Sequence, residues 1–300
     1  LRVRLSHRLE LWLVKMVLWW AGKGGWAKIP ARAEVIGSLL YLLLGMRRKT
    51  AIDNIHCALG YPVSRCRRLA RESFKSIVIT ALEMAQMGSL NPRWIGGRVQ
   101  FDNTESFEEV YKLGKGGLLL SAHLGNWELV GALVGRKGMG YPVSVLVQEQ
   151  SNPLVEGLMR RLRQGYGFYV ISLGEAGRKM VQLLRRGEFV ALLPDQDAGP
   201  EGRMFPFFGR YASTNIGPAL LASRLGTPII IGFCVRSPDR TYRAYISKPY
   251  ILGKDRERAV VRYLELYSGF LEEYVRRYPR QYLWMHRRWK SYLPKKGLKD

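Results

Sequence analysis

The sequence predicts an α/β fold: a mixed, largely parallel central sheet flanked by helices, with membrane-associated helices at the N-terminus. Three observations carry this. From residue 98 onward, short apolar segments alternate with stretches of helical period, the pattern of strand–helix units. Gly187 and Gly226 stand where two of those helices should end. Two apolar runs flanked by basic residues come first, within residues 1–49.

Taken in order, the run 11–21 is apolar except for Lys15, contains Trp12, Trp19 and Trp20, and follows Arg2, Arg4 and Arg8. The second run, 35–46, ends at Arg47-Arg48-Lys49. Each is shorter than the roughly 20 residues that span a bilayer, and tryptophans beside basic residues favour the membrane interface. Residues 1–49 are therefore expected to form helices lying in, or dipping into, one leaflet. Two buried core helices are the plain alternative. A cleaved leader ending near Ala31-Arg32-Ala33 is a weaker one, because that site lies too far past the apolar run.

Residues 50–300 are expected to form the α/β domain. The stretch 50–96 reads as helical. Over 64–87, Leu69, Phe74, Ile77, Val78, Ala81, Leu82 and Ala85 keep a helical period, which Asn91-Pro92 breaks. Strands are expected at 98–101, 117–121, 142–147, 169–172, 189–193, 228–235 and 242–247. Helices are expected at 126–136, 153–164, 175–186, 216–225 and 259–278.

A length of 300 residues fits one large domain with an accessory region, and 47% hydrophobic residues suffice for its core. The formal net charge of +24 attracts nucleic acid, an anionic membrane or an acidic partner, and does not choose among them. No helix-turn-helix, zinc or stacking-platform motif is recognisable, so a basic nucleic-acid-binding protein is the weaker alternative and no nucleic-acid partner is expected. Cys57, Cys66 and Cys234 match no zinc or redox spacing, as in a reducing, cytosol-facing location. His7, His56, His123 and His286 form no pair with metal-ligand spacing, so no metal site is expected.

The chemistry gathers at two strand ends. The apolar run 116–121 leads into Ala122-His123-Leu124-Gly125-Asn126-Trp127-Glu128. His123 would leave the strand on a loop, and Glu128 would sit in the first turn of the next helix, able to point back at the imidazole. A carboxylate on one ring nitrogen fixes the tautomer and frees the other nitrogen as a base. The C-terminal end of a buried strand is also where α/β sheets place their ligands. His123 and Glu128 are thus a candidate catalytic pair that needs no nucleophilic Ser or Cys. After the strand 189–193 comes the cluster 194–203. There Arg203 suits a bidentate clamp on phosphate or carboxylate, and Asp195 or Asp197 could orient it. An acidic turn that satisfies its own backbone is the alternative. Met204-Phe205-Pro206-Phe207-Phe208-Gly209 reads either as a packed loop or as a wall of an acyl channel. Trp284-Met285-His286-Arg287-Arg288-Trp289-Lys290 reads either as an interface anchor or as Arg–Trp stacking in a folded tail.

His123-Leu124-Gly125-Asn126-Trp127-Glu128, Asp195-Gln196-Asp197, Phe205-Pro206-Phe207-Phe208-Gly209 and Trp284 to Lys290 occur in the order seen in the late acyltransferases of lipid A biosynthesis. The chain resembles this lauroyl/myristoyl transferase family, within the lysophospholipid acyltransferase superfamily, over nearly its whole length. The His-x4-acid motif marks the superfamily, and the last two motifs are more specific to this branch. The resemblance implies a membrane-bound O-acyltransferase of lipopolysaccharide biosynthesis, at the cytoplasmic face of a bacterial inner membrane. It would move a fatty acyl chain to a hydroxyl of a lipid A precursor. Acyl carrier protein or CoA would carry the chain as a thioester co-substrate, and no other cofactor is implied. The implied partners are an anionic membrane, acyl carrier protein and a glycolipid acceptor. His123 matches the family's histidine base and Glu128 its paired acid, while Asn126, Asp195, Asp197 and Arg203 are the substrate-binding candidates. Backbone N–H groups of the 195–199 loop would face the oxyanion. Many lipid A transferases carry an arginine shortly before the Asn-Pro, where this chain has Val147-Gln148-Glu149-Gln150-Ser151. The His123 motif is also similar to that of mycobacterial phosphatidylinositol mannoside acyltransferases, so a lysophospholipid or other glycolipid acceptor is the alternative.

Overall fold

The computed structural model describes residues 4–292 apart from 90, 136 and 137, so Arg2, the last expected residue of the helix 126–136, and the end of the 50–300 domain lie outside the described residues. The chain begins with α1 (Leu5–Gly22), α2 (Ile29–Leu43), α3 (Gly45–Leu59), α4 (Val63–Gln86) and the short α5 (Pro92–Gly96). Then follow β1 (Val99–Asp102), α6 (Glu105–Lys112), β2 (Gly117–Leu120), α7 (Trp127–Val134), β3 (Val143–Val147), α8 (Pro153–Gly165) and β4 (Tyr169–Ser172). The remainder is α9 (Ala176–Arg185), β5 (Phe189–Leu192), β6 (Arg203–Phe207), β7 (Arg210–Thr214), α10 (Gly217–Leu225), β8 (Ile229–Arg236), β9 (Tyr242–Ile246) and α11 (Arg256–Arg277).

Seven strands form one sheet in the order β1-β9-β8-β2-β5-β3-β4. Every neighbouring pair is parallel except β8–β9. The four residues of β2 are all buried, as a strand covered on both faces requires. Their side chains alternate. Leu118 and Leu120 enter a core shared with α3, α4, α10 and α11, whereas Leu119 enters a second core with α6 and α7. All seven sheet strands lie where the apolar segments predict them. Gly226 takes a left-handed φ of 65° and caps α10, and Gly187 has φ 78° just past α9.

Two elements go beyond the expected list: α6, and the antiparallel hairpin β6–β7. The hairpin turns on Phe208 and Gly209, with φ of 53° and 72°, the positive pair that tight hairpins need. Phe207 and Phe208 are buried, and Phe207 stacks on Trp289 at 5.8 Å. The aromatic segment is therefore a packed turn.

At the N-terminus α2 lies close against α4. A Cβ on Gly37 would meet the Lys75 Cα at 2.7 Å, and Ile29, Ala33, Val78 and Leu82 share a small core there. The run 35–46 is not one helix. It breaks between Leu43 and Gly45, where the segments Trp26–Leu43 and Gly45–Leu59 meet at 97°. No single described helix is long and apolar enough to cross a membrane. Much of the apolar surface here stays uncovered, including Trp12, Leu13, Trp19, Trp20, Leu39 and Leu43.

The loop after β2 crosses the end of β8. Asn126 N–H donates to the Cys234 carbonyl at 2.7 Å, and Gly125 has φ 66° with its missing Cβ 2.1 Å from that same oxygen. Both conformation and space demand glycine. Gly125→Ala is expected to lower stability by at least about 1–3 kcal/mol, read as a drop in the thermal unfolding midpoint. An unchanged midpoint would mean that the loop does not hold this path.

Candidate active site

Strands β2 and β5 are neighbours in parallel register, with Leu120 opposite Leu192. Three residues past each lie His123 and Asp195, so the register brings them side by side. His123 Nδ1 is 2.8 Å from Asp195 Oδ1, and the backbone N–H of His123 donates to Oδ2 at 3.0 Å. With Asp195 on Nδ1, that nitrogen carries the proton and Nε2 is left as the basic atom. The Trp127 ring lies 4.9 Å from the imidazole, centre to centre.

The expected partnership of His123 with Glu128 is corrected here. Glu128 sits in the first turn of α7, nearly buried, and is gripped by Arg163 from α8, with Nη2 at 2.7 Å and Nε at 3.2 Å. The acid nearest in sequence is held by a guanidinium, and the acid opposite in register holds the ring. Glu128 nevertheless lines the same cavity as His123. Burial works against charge on the His123 ring, but the Asp195 carboxylate, its hydrogen bond and the field of Glu128 outweigh it and raise the pKa. Burial also opposes charge on Asp195, yet the imidazole and its bonds hold that carboxyl below its usual range.

The other candidates separate. Asn126 is fully buried and does not line the cavity. Its Oδ1 accepts the Leu129 N–H at 2.9 Å, capping α7, and its amide donates to Glu83 at 2.7 Å. Asp197 does line the cavity, but its carboxylate is occupied by the Ser291 hydroxyl at 2.6 Å and the Gly199 N–H at 3.0 Å. Arg203 is not brought to the site: it pairs with Glu257 at 2.5 Å on a half-exposed surface. The loop N–H groups of residues 197–199 are also engaged. Asp197 N–H donates to His286 Nε2, Ala198 N–H to the Ser213 carbonyl, and Gly199 N–H to Asp197. These three groups do not face an oxyanion.

Sequence reasoning missed the groups that position the loop carrying His123. Glu83, on the buried face of α4, accepts from Arg236 Nε at 3.0 Å, Tyr242 Oη at 2.5 Å and Asn126. Arg236 also reaches Thr80, whose hydroxyl donates to the Gly125 carbonyl at 2.8 Å. The one local signal was an acid placed between Leu82 and Met84 on an apolar helix face. The C-terminal segment contributes as well. Leu283 N–H donates to the His123 carbonyl at 3.0 Å, Trp284 is buried, and Arg288 binds Ser213 and Thr214. The tail is a folded strap behind the site. Burial lowers the pKa of His286, which suits a neutral ring accepting the Asp197 N–H.

His123 opens into a cavity of about 1400 Å³. Phe107, Leu119, Val130, Val145, Phe168 and Ile230 form an apolar wall between the sheet and α7, in the manner of sites for greasy ligands. Among the described residues no group of His, Cys, Asp and Glu could hold a metal ion.

The model of the family described as bacterial lipid A biosynthesis acyltransferase matches residues 2–291. The chain is 26% identical over 265 residues to the lipid A biosynthesis palmitoleoyltransferase of Escherichia coli K12, covering 85% of this chain and 83% of that protein. It is 25% identical over 287 residues to the lipid A biosynthesis lauroyltransferase of the same organism, covering 93% and 91%. It is also 28% identical over 209 residues to the phosphatidylinositol mannoside acyltransferase of Mycobacterium tuberculosis H37Rv, covering 67% and 60%.

Asp195→Asn is expected to lower the pKa of His123. For His123 acting as an unprotonated base, the acid limb of the kcat/KM profile should move to lower pH while the plateau falls by on the order of 10²–10⁴. Loss of rate with an unmoved limb would sever Asp195 from the titration. The same pair sets a stability window. Its contribution through Asp195 is lost as pH falls through that residue's lowered pKa, and through His123 as pH rises through the raised one. The urea midpoint of wild type should vary with pH in this way, and that dependence should be lost in the Asp195→Asn variant.

Proposed function

This chain belongs to the bacterial lipid A biosynthesis acyltransferase family, and within it we propose a membrane-bound O-acyltransferase that moves a fatty acyl chain from an acyl carrier protein thioester to a hydroxyl of a lipid A precursor. The observation that carries this reading is the His123–Asp195 pair at the mouth of an apolar cavity. His123 Nε2 takes the proton of the acceptor hydroxyl. Asp195 keeps Nδ1 protonated and stabilises the imidazolium that forms. The hydroxyl oxygen attacks the thioester carbonyl, and the tetrahedral intermediate collapses. The carbon–sulfur bond breaks, and the departing thiolate takes the proton back from the ring. Glu128, neutralised by Arg163, acts on the imidazolium through its field and does not hold the ring. The reaction needs no metal and no cofactor besides the thioester.

The membrane is proposed to meet α1 and α2. Their exposed Trp12, Trp19, Trp20, Leu39 and Leu43 suit an interfacial seat at the cytoplasmic face of an inner membrane. Three relatives named as lipid A palmitoleoyl-, lauroyl- and myristoyltransferases support the lipid A acceptor. The likeness to a phosphatidylinositol mannoside acyltransferase favours a second reading, another glycolipid acceptor at the same site. A panel of both acceptors with one acyl donor separates the two.

His123→Ala is expected to cut transfer by on the order of 10²–10⁴ or more while leaving binding to anionic vesicles intact. Wild-type turnover in that variant would remove His123 from the mechanism. With acyl carrier protein as donor, the steering of an acidic partner toward a +24 surface should weaken as salt rises. A KM that is flat across ionic strength counts against that partner.

A further inference from the structure

The cavity does not end at the catalytic pair. It continues between α9 and α10, over a floor that includes Leu146, Met180, Leu220 and Leu221. Arg178 and Arg185 stand seven residues apart on α9, on one face and about 10 Å along the axis. Arg186 follows them, and Arg224 lines the same space from α10. All four are exposed, and among the described residues none of them has an acidic partner. Arg163, Arg203, Arg236 and Arg243, by contrast, each hold a carboxylate. Four like charges around one groove repel one another, and an anion seated among them relieves that repulsion. The guanidinium fork matches the oxygens of a phosphate.

Resting on the acyl-transfer reading above, we propose that this arginine rim binds the phosphate of the water-soluble acyl donor, whose thioester lies at His123 and whose arm runs along the α9–α10 groove. Pantetheine thioesters, on a carrier protein or on a nucleotide, bear a phosphate at the far end of the arm from the sulfur. The larger exposed apolar surface, suited to a lipid, is on α1 and α2, which pack on α4 and α8, while a single exposed leucine, Leu173, lies beside this rim. The outer residues of α9 and α10 include Arg178, Lys179, Gln182, Arg185 and Arg224, which suits a ligand that approaches this rim from water. The acyl chain has separate room. Leu119, Ala191 and Ile230 line the cavity on the sheet face opposite to Leu120, Leu146 and Leu192.

The test uses the full chain with R185Q/R224Q, two exposed positions whose replacement leaves the core untouched; equal melting curves check this. Acyl-phosphopantetheine and acyl-pantetheine are compared as donors at fixed acceptor. KM for the phosphorylated donor should rise about tenfold or more in the variant, with KM for the unphosphorylated donor and for the acceptor unmoved. An unchanged donor KM, an equal rise for both donors, or a rise confined to the acceptor overturns the assignment. Calorimetric titration with phosphopantetheine alone adds a readout that needs no turnover. Wild type should bind it at least about tenfold more tightly than the variant, and equal binding or no binding by wild type overturns the proposal. A wild type that shows this difference yet transfers no acyl chain sinks the reaction and leaves the phosphate site standing.

Discussion

The hydrogen bond between His123 and Asp195 depends on a strand register, and the rest of the site depends on that bond. Leu120 and Leu192 pair across β2 and β5, and each strand then runs three residues further before delivering its polar group. A slip of one residue between these strands would turn every side chain to the other face. It would also carry Asp195 away from the imidazole. These two apolar strands therefore do more than fill a core: their register sets the tautomer of a ring just past their C-terminal ends.

Around that bond the chain brings in segments far apart in sequence. Glu83 from α4, Arg236 from β8 and Tyr242 from β9 form a buried polar cluster that also takes the Asn126 amide. The C-terminal strap adds the Leu283 N–H on the His123 carbonyl and His286 beneath Asp197. Buried charges are costly to desolvate, and removing one partner of such a pair typically costs about 3–5 kcal/mol. An apolar cluster of similar volume would serve stability as well. What it would lack is direction: hydrogen bonds on the Gly125 carbonyl and on Asn126 leave the loop that carries His123 a single path over Cys234.

Much of the fold was legible in sequence. The strands β2, β3, β5 and β8 are apolar segments, β1 and β9 alternate apolar with polar residues, and His123 could be placed at a strand end from local pattern alone. The ring's true partner could not. Glu128 is five residues away and Asp195 seventy-two, and only the spatial neighbourhood of β2 and β5 decides between them. The hairpin β6–β7 was hidden because Phe-Pro-Phe-Phe reads as a loop until its tight turn and its packing on Trp289 are seen. Arg203 looked like a phosphate clamp because its charge and its glycine neighbours are local. Glu257, which occupies it, comes from α11. Local chemistry showed through in the sequence, and partnerships across the sheet did not.

The site holds two carboxylates near one imidazole, and their different treatment has a physical consequence. A general base works best when its pKa lies near the working pH. Burial pushes the His123 ring toward neutrality, while Asp195 and Glu128 pull it toward charge. Were Glu128 unpaired, its full field would add to that of Asp195 and raise the pKa of the ring further. Arg163 grips that second carboxylate through Nε and Nη2 and opposes part of its charge. The ring is left with one strong partner that fixes its orientation and one tempered field that favours the imidazolium as it forms. Arg163 thus bears on the ring without touching it, by opposing part of the Glu128 charge that the ring feels.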